Sequence, residues 1–102
     1  MKKIYKYSIP TKEKYILELP INSKIIRVED VDGLFYLWAI VDIDDNIKKQ
    51  NYYLEFYKTG QEIHTPIDDL QFLGTCKLFI MQELCLYVFL NTKQTYGIRI
   101  TS

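Results

Sequence analysis

Two runs of strand-forming residues within residues 24–43 flank the dipeptide Asp32-Gly33, and no other feature constrains the fold as tightly. Asp-Gly suits a two-residue type I′ turn because both central residues need positive φ, which Asp tolerates and Gly adopts freely. Such a turn pins the register, so that residue i faces residue 65 minus i, and a slip by one position would turn every side chain over. In that register Ile26 stands opposite Ala39 and Val28 opposite Leu37, and with Phe35 and Val41 they form an apolar face suited to a core. The second face sets Arg27 against Trp38, Glu29 against Tyr36 and Ile25 against Ile40. It is amphipathic rather than plainly solvated.

The same two-residue alternation recurs along the chain. Residues 3–9 alternate up to Pro10, and residues 15–19 alternate up to Pro20, which cannot donate to a ladder and belongs at a strand end. An Asn22-Ser23 turn follows. Residues 42–51 are polar and read as a loop, residues 52–58 as a strand, Thr59-Gly60 as a turn and residues 61–69 as a surface connection. Gly74, inside the next apolar run, predicts a bulge or a close backbone approach. Residues 75–90 are apolar at nearly every position and admit two readings, a hairpin turning near Gln82-Glu83 or one buried helix. The hairpin is favoured, since Cys85, Leu86, Tyr87, Val88 and Phe89 suit a strand and a helix apolar all round needs a large protein to hide in. Residues 96–101 alternate through Ile98 and Ile100 and suggest an edge strand within a possible C-terminal extension, residues 91–102. The expected fold is all-β, a single domain over residues 1–102 arranged as an antiparallel β-sandwich or small barrel of about seven strands.

Composition limits what such a domain does. The chain of 102 residues is 48% hydrophobic and 25% charged, ordinary for one globular core, and its 13 basic and 13 acidic side chains cancel. With no global field to recruit a polyanion, nucleic acid is not an expected partner. The start of the chain is basic but has no apolar run behind it, and residues 78–90 fall short of the roughly 20 residues a membrane-spanning helix needs. The expectation is a cytoplasmic protein without membrane contact. Aromatic residues reach 15%, nine of them Tyr, and tyrosine serves both strands and binding surfaces.

No catalytic constellation emerges. His64 is the single histidine, in a predicted loop, without an identifiable nucleophile or orienting carboxylate. Cys76, Cys85 and one histidine do not complete a four-ligand zinc site without a carboxylate, and a turn at Gln82-Glu83 would hold the two thiols roughly 13 Å apart, beyond disulfide reach. The stretch from Asp42 to Asn46 resembles the start of a calcium loop but lacks the sixth-position glycine, and Tyr53 stands where the bidentate Glu belongs. Gly60 and Gly74 belong to no phosphate-binding pattern. No metal or cofactor is expected, and the protein is expected not to be an enzyme. The group with functional promise is Arg27, Tyr36, Trp38 and Ile40: an Arg on a Trp is an ordinary cross-strand pair, yet exposed aromatics beside Arg are also what interfaces use.

Ile4-Tyr5-Lys6-Tyr7, Glu18-Leu19-Pro20, Lys24-Ile25-Ile26-Arg27-Val28, Trp38-Ala39-Ile40-Val41-Asp42, Lys58-Thr59-Gly60, Leu73-Gly74-Thr75 and Val88-Phe89 together resemble an uncharacterised family of small strand-rich proteins of bacteria and their phages. The chain departs from that pattern at Gln61 and Tyr87, where relatives often carry His, and at Met81-Gln82-Glu83, where they often have Gly. The resemblance implies a strand-rich fold and no particular activity. The expectation is a non-enzymatic binding protein, phage- or prophage-encoded, that captures a host protein or a small-molecule signal, for example as an inhibitor of bacterial immunity. The alternative is an assembly module forming a homo-oligomer through the aromatic face.

Overall fold

The computed structural model describes residues 1–79 and 82–97. Seven strands run in chain order: β1 (Lys2–Ile9), β2 (Lys14–Pro20), β3 (Lys24–Val31), β4 (Leu34–Asp42), β5 (Lys49–Lys58), β6 (Leu70–Phe79) and β7 (Glu83–Asn91), with a 3-10 turn at Ile67–Asp69 and a short helix α1 (Thr92–Tyr96). Strands make up 64% of the described residues. They lie in one curled sheet, a half-barrel of order β1-β4-β3-β6-β7-β5-β2. The seven-strand, all-β expectation therefore holds, while the antiparallel sandwich does not: there is one sheet, and it is mixed, because β3 and β6 run parallel.

The β3–β4 hairpin turns where Asp32-Gly33 dictates, with φ of 52° and 81° at the two central residues. Val28 faces Leu37, Arg27 faces Trp38 and Glu29 faces Tyr36 as the turn requires. Beyond Arg27 a bulge intervenes, so Ala39 faces Ile25 and Ile40 faces Lys24. Ile25 is consequently the core residue, and Ile26, expected in the core, is exposed. An isoleucine stands at both positions, so the local pattern offers nothing to choose between them; packing against Ala39 decides.

Two further boundaries move for non-local reasons. β5 begins at Lys49 inside the predicted loop, because Leu19 and Glu18 of β2 pair with Gln50 and Asn51 and pairing compensates their weak strand propensity. Residues 75–90 do form a hairpin, but not in the register a turn at Gln82-Glu83 would set: Cys76 faces Leu86 and Cys85 faces Lys77, which brings the two cysteines closer along the ladder than expected. That register places Leu86, Val88 and Leu90 on the inner face. Both cysteines are free; Cys76 is buried on the inner face and Cys85 is half-buried, since Cys76 pairs with Leu86, the residue after Cys85, and successive strand residues point to opposite faces. The predicted tail strand fails at its start: Tyr96 closes a helix whose cap is Gly97, at φ 77°, and residues 98–102 lie outside the described residues.

The concave side of the sheet is the core: Leu17 and Leu19 of β2, Val28 of β3, Phe35, Leu37, Ala39 and Val41 of β4, Tyr52, Leu54 and Phe56 of β5, Cys76 of β6 and Leu86, Val88 and Leu90 of β7. The halves β1-β4-β3 and β6-β7-β5-β2 meet at one parallel pair, Val28 with Gly74. A Cβ on Gly74 would lie 2.3 Å from the Val28 carbonyl oxygen, so the strands approach this closely only over glycine. A bulge at Leu73 brings Gly74 into place opposite Val88. Both readings of Gly74, bulge neighbour and close approach, apply.

Gly74→Ala is expected to destabilise the fold by about 2 kcal/mol or more, as forced overpacking does. Gly33→Ala, which meets no atom within 4 Å and carries only left-handed backbone strain, should cost about 1 kcal/mol. Urea unfolding of the two variants checks the order.

Candidate functional site

In an antiparallel sheet, side chains directly opposite one another project from the same face. On the convex side of β1, β4 and β3 the registers therefore assemble rows. Lys6, Trp38 and Arg27 form one row, Ile4, Ile40 and Lys24 the next, and Ser8, Tyr36 and Glu29 a third. The structure thus brings Arg27, Tyr36, Trp38 and Ile40 together on one face, as the hairpin register predicts. Ile25, expected beside Ile40, is turned inward, and the bulged Ile26 is exposed instead, along with Ile4.

The aromatic geometry is close-knit. The Tyr36 and Trp38 rings are 6.1 Å apart and tilted by 56°. The Arg27 guanidinium lies 4.5 Å from the Trp38 ring centre, and the Lys6 ammonium 4.3 Å from that of Tyr36. Arg27 also donates through Nε to Glu29 Oε2 at 2.6 Å. Two cations resting on two neighbouring rings hold them in place, each contact worth about 0.5–1 kcal/mol at an exposed site. Tyr36, Trp38 and Ile40 are half-buried.

Lys6 and Ile4 were not legible as members of this group, because β1 reaches β4 through a pairing some thirty residues away in sequence. The alternation of residues 3–9 announced a strand, but not its neighbour.

On the other half of the convex side Phe72, Phe79 and Ile16 are exposed, while part of β5 is buried. Glu55, on β5, is 1% exposed. Its Oε1 accepts hydrogen bonds from the Tyr57 hydroxyl and, at 2.7 Å, from Thr65 Oγ1, while Oε2 accepts one from Asn91 Nδ2 at 2.7 Å. Asn91 in turn caps α1, its Oδ1 accepting from Gln94 N at 2.9 Å. Burial, the largest influence, pushes the Glu55 carboxyl up, but the bonds from Tyr57, Asn91 and Thr65, with the charge of Lys14, outweigh it and leave the group below its usual value. The carboxylate is thereby a latch that ties the 61–69 connection and the base of α1 to β5. The sequence gives no cue to it beyond a Glu inside a strand, since its donors come from three separate segments.

The remaining candidates are dispersed. His64 is exposed, 3.5 Å from an equally exposed Glu62. Burial pushes the Cys76 thiol up to about 12, which denies it thiolate character at neutral pH. In the acidic loop Asp42 and Asp44 lie 3.4 and 3.3 Å from the Met1 ammonium. Among the described residues no three His, Cys, Asp or Glu side chains are grouped to hold a metal ion, and no helix is long and apolar enough to cross a membrane.

The model of a family described as a domain of unknown function (DUF7352) matches residues 1–98. The chain belongs to this family. In family terms, the match spans the convex face and the Glu55 latch alike, and extends through α1 to residue 98. No curated protein and no solved structure matches the chain.

Glu55→Gln would turn an amide nitrogen toward groups that already donate, and is expected to cost about 1.5–3 kcal/mol at neutral pH. Because the folded carboxyl titrates below its usual value, the stability it contributes is complete above the unfolded pKa and lost as pH falls through the folded one. Urea titrations should therefore show the gap between wild type and Glu55→Gln shrinking from about pH 7 to about pH 2.

Proposed function

We propose that the protein is a non-enzymatic binding protein that captures another protein through the convex face of β1, β4 and β3, centred on Arg27, Tyr36, Trp38 and Ile40. The observation that carries this reading is the half-exposed aromatic pair with its two resting cations, near the exposed Ile4 and Ile26. A solvated sheet face is ordinarily polar, and contiguous apolar surface rimmed by charge marks interaction sites. Trp, Tyr and Arg are also the residues that dominate binding energy at protein interfaces.

A protein suits this face better than a small-molecule signal. Among the described residues, five clefts of 150 to 450 Å³ are lined without any of the four, and small ligands favour concave sites. The likeness of the sequence motifs to small proteins of bacteria and their phages supports a host protein as the partner, with inhibition of bacterial immunity as the setting. A non-enzymatic role agrees with the solvated His64, the buried Cys76 thiol and a Glu55 carboxylate already occupied by three donors.

Capture from a host lysate by wild type and by Trp38→Ala, with thermal unfolding of both, tests the proposal. Loss of the captured protein with unchanged unfolding, equivalent to about 2 kcal/mol or more of binding, is the expected result. If Trp38→Ala unfolds the chain, Trp38 is a packing residue and the reading fails. If sedimentation shows a wild-type oligomer that Trp38→Ala dissociates, the face joins copies of this chain and the assembly alternative replaces host capture.

A further inference from the structure

A seven-strand half-barrel has two unpaired edges, and here they differ. β2 ends in Pro20, which cannot donate to a new strand, whereas β1 offers eight residues without proline. All of β1 from Lys2 to Lys6 is exposed, including Ile4 at 59% and Tyr5 at 44%. Its convex side chains are Lys2, Ile4 and Lys6, continuous with the Trp38 row, and its concave ones include Lys3, Tyr5 and Tyr7.

Among the described residues none of Lys2, Lys3 and Lys6 makes an ion pair. The nearby carboxylates are engaged elsewhere, Asp42 with the Met1 ammonium and Glu29 with Arg27. An overall neutral chain therefore presents a locally cationic edge.

We infer that the free edge of β1 takes an acidic extended segment of the partner as an added strand, with carboxylates four residues apart about an apolar residue, Glu-x-apolar-x-Glu. This rests on the reading that the adjoining face binds a protein, and names how that partner engages it. Main-chain hydrogen bonds along the edge supply affinity and alternate side chains supply selection. The two carboxylates stand opposite Lys2 and Lys6, and the apolar residue opposite Ile4, which is the favourable cross-strand arrangement. The pattern reads the same in both directions, so it serves a parallel or an antiparallel addition.

A second copy of this chain does not supply that segment. No two acidic residues in the sequence stand four apart, and pairing β1 with β1 would bring three lysines toward three more, the arrangement by which edge strands resist self-association. Single-stranded nucleic acid is disfavoured as well, because base stacking needs free ring faces and the rings of Tyr36 and Trp38 already carry Lys6 and Arg27.

The test is fluorescence anisotropy with a labelled nonapeptide centred on Glu-Thr-Val-Thr-Glu. Controls are its Lys-for-Glu analogue and two analogues N-methylated at alternate amides in the two possible registers. Saturable binding is expected, weakened about tenfold or more in the Lys analogue and in Lys2→Glu or Lys6→Glu protein, with one N-methylated register abolishing binding and the other leaving it. No binding of the Glu peptide overturns the inference, as does equal binding of both N-methylated forms, or displacement of the peptide by oligothymidylate with the same lysine dependence. Should the peptide fail while Trp38-dependent capture persists, the face reading stands and the edge inference alone falls. Should Trp38→Ala leave capture intact while the peptide binds, the face reading fails and strand addition remains.

Discussion

The half-barrel depends on one contact, the passage of Gly74 over the Val28 carbonyl. On either side of it the sheet is antiparallel, built by β1, β4 and β3 on one flank and by β6, β7, β5 and β2 on the other. A single parallel position is too little for a regular ladder, so side chains complete the seam: Lys77 N donates to Asp30 Oδ1 at 2.7 Å, replacing a backbone acceptor with a carboxylate. The absent Cβ sets the spacing of the seam, and that spacing lets the inner faces of both flanks share one core.

Each face of the curled sheet answers a different physical demand. The centre of the concave face excludes water, and every strand contributes apolar side chains to it. The convex face is divided. Over β5 and β7 the 61–69 connection and α1 cover the sheet, and a carboxylate buried there is tolerable only because three neutral donors converge on it. Over β1, β4 and β3 the rings of Tyr36 and Trp38 are half-buried and carry the stems and charges of Lys6 and Arg27. The β1–β4–β3 half keeps Ile4 and Ile26 exposed beside these rings, and the edge of β1 borders it.

Legibility in the sequence follows the range of the interactions concerned. Asp32-Gly33 acts over four residues, and the turn, the hairpin and the shared face of Arg27, Tyr36 and Trp38 could all be read from it. The Ile25–Ile26 exchange lay beyond reach, because a bulge is decided by fit against Ala39 between two identical side chains. The last hairpin was recognisable as strand rather than helix from its β-branched and aromatic content. Its register was not, since Gln82-Glu83 lacks the turn chemistry that would pin it and the placement of Leu86, Val88 and Leu90 in the common core sets it instead.

By itself, then, the sequence determined that the chain is strand-rich, where its strands begin to alternate, and which side chains share a face across its one strongly specified turn. These properties follow from backbone conformational preference and the two-residue period, which are local. Only the tertiary structure decided that the sheet is single and mixed, that β1 sets Lys6 beside Trp38 and that Glu55 is a latch. Those outcomes depend on pairings between distant segments, selected by the collective fit of the core, and no short window of sequence carries that energy.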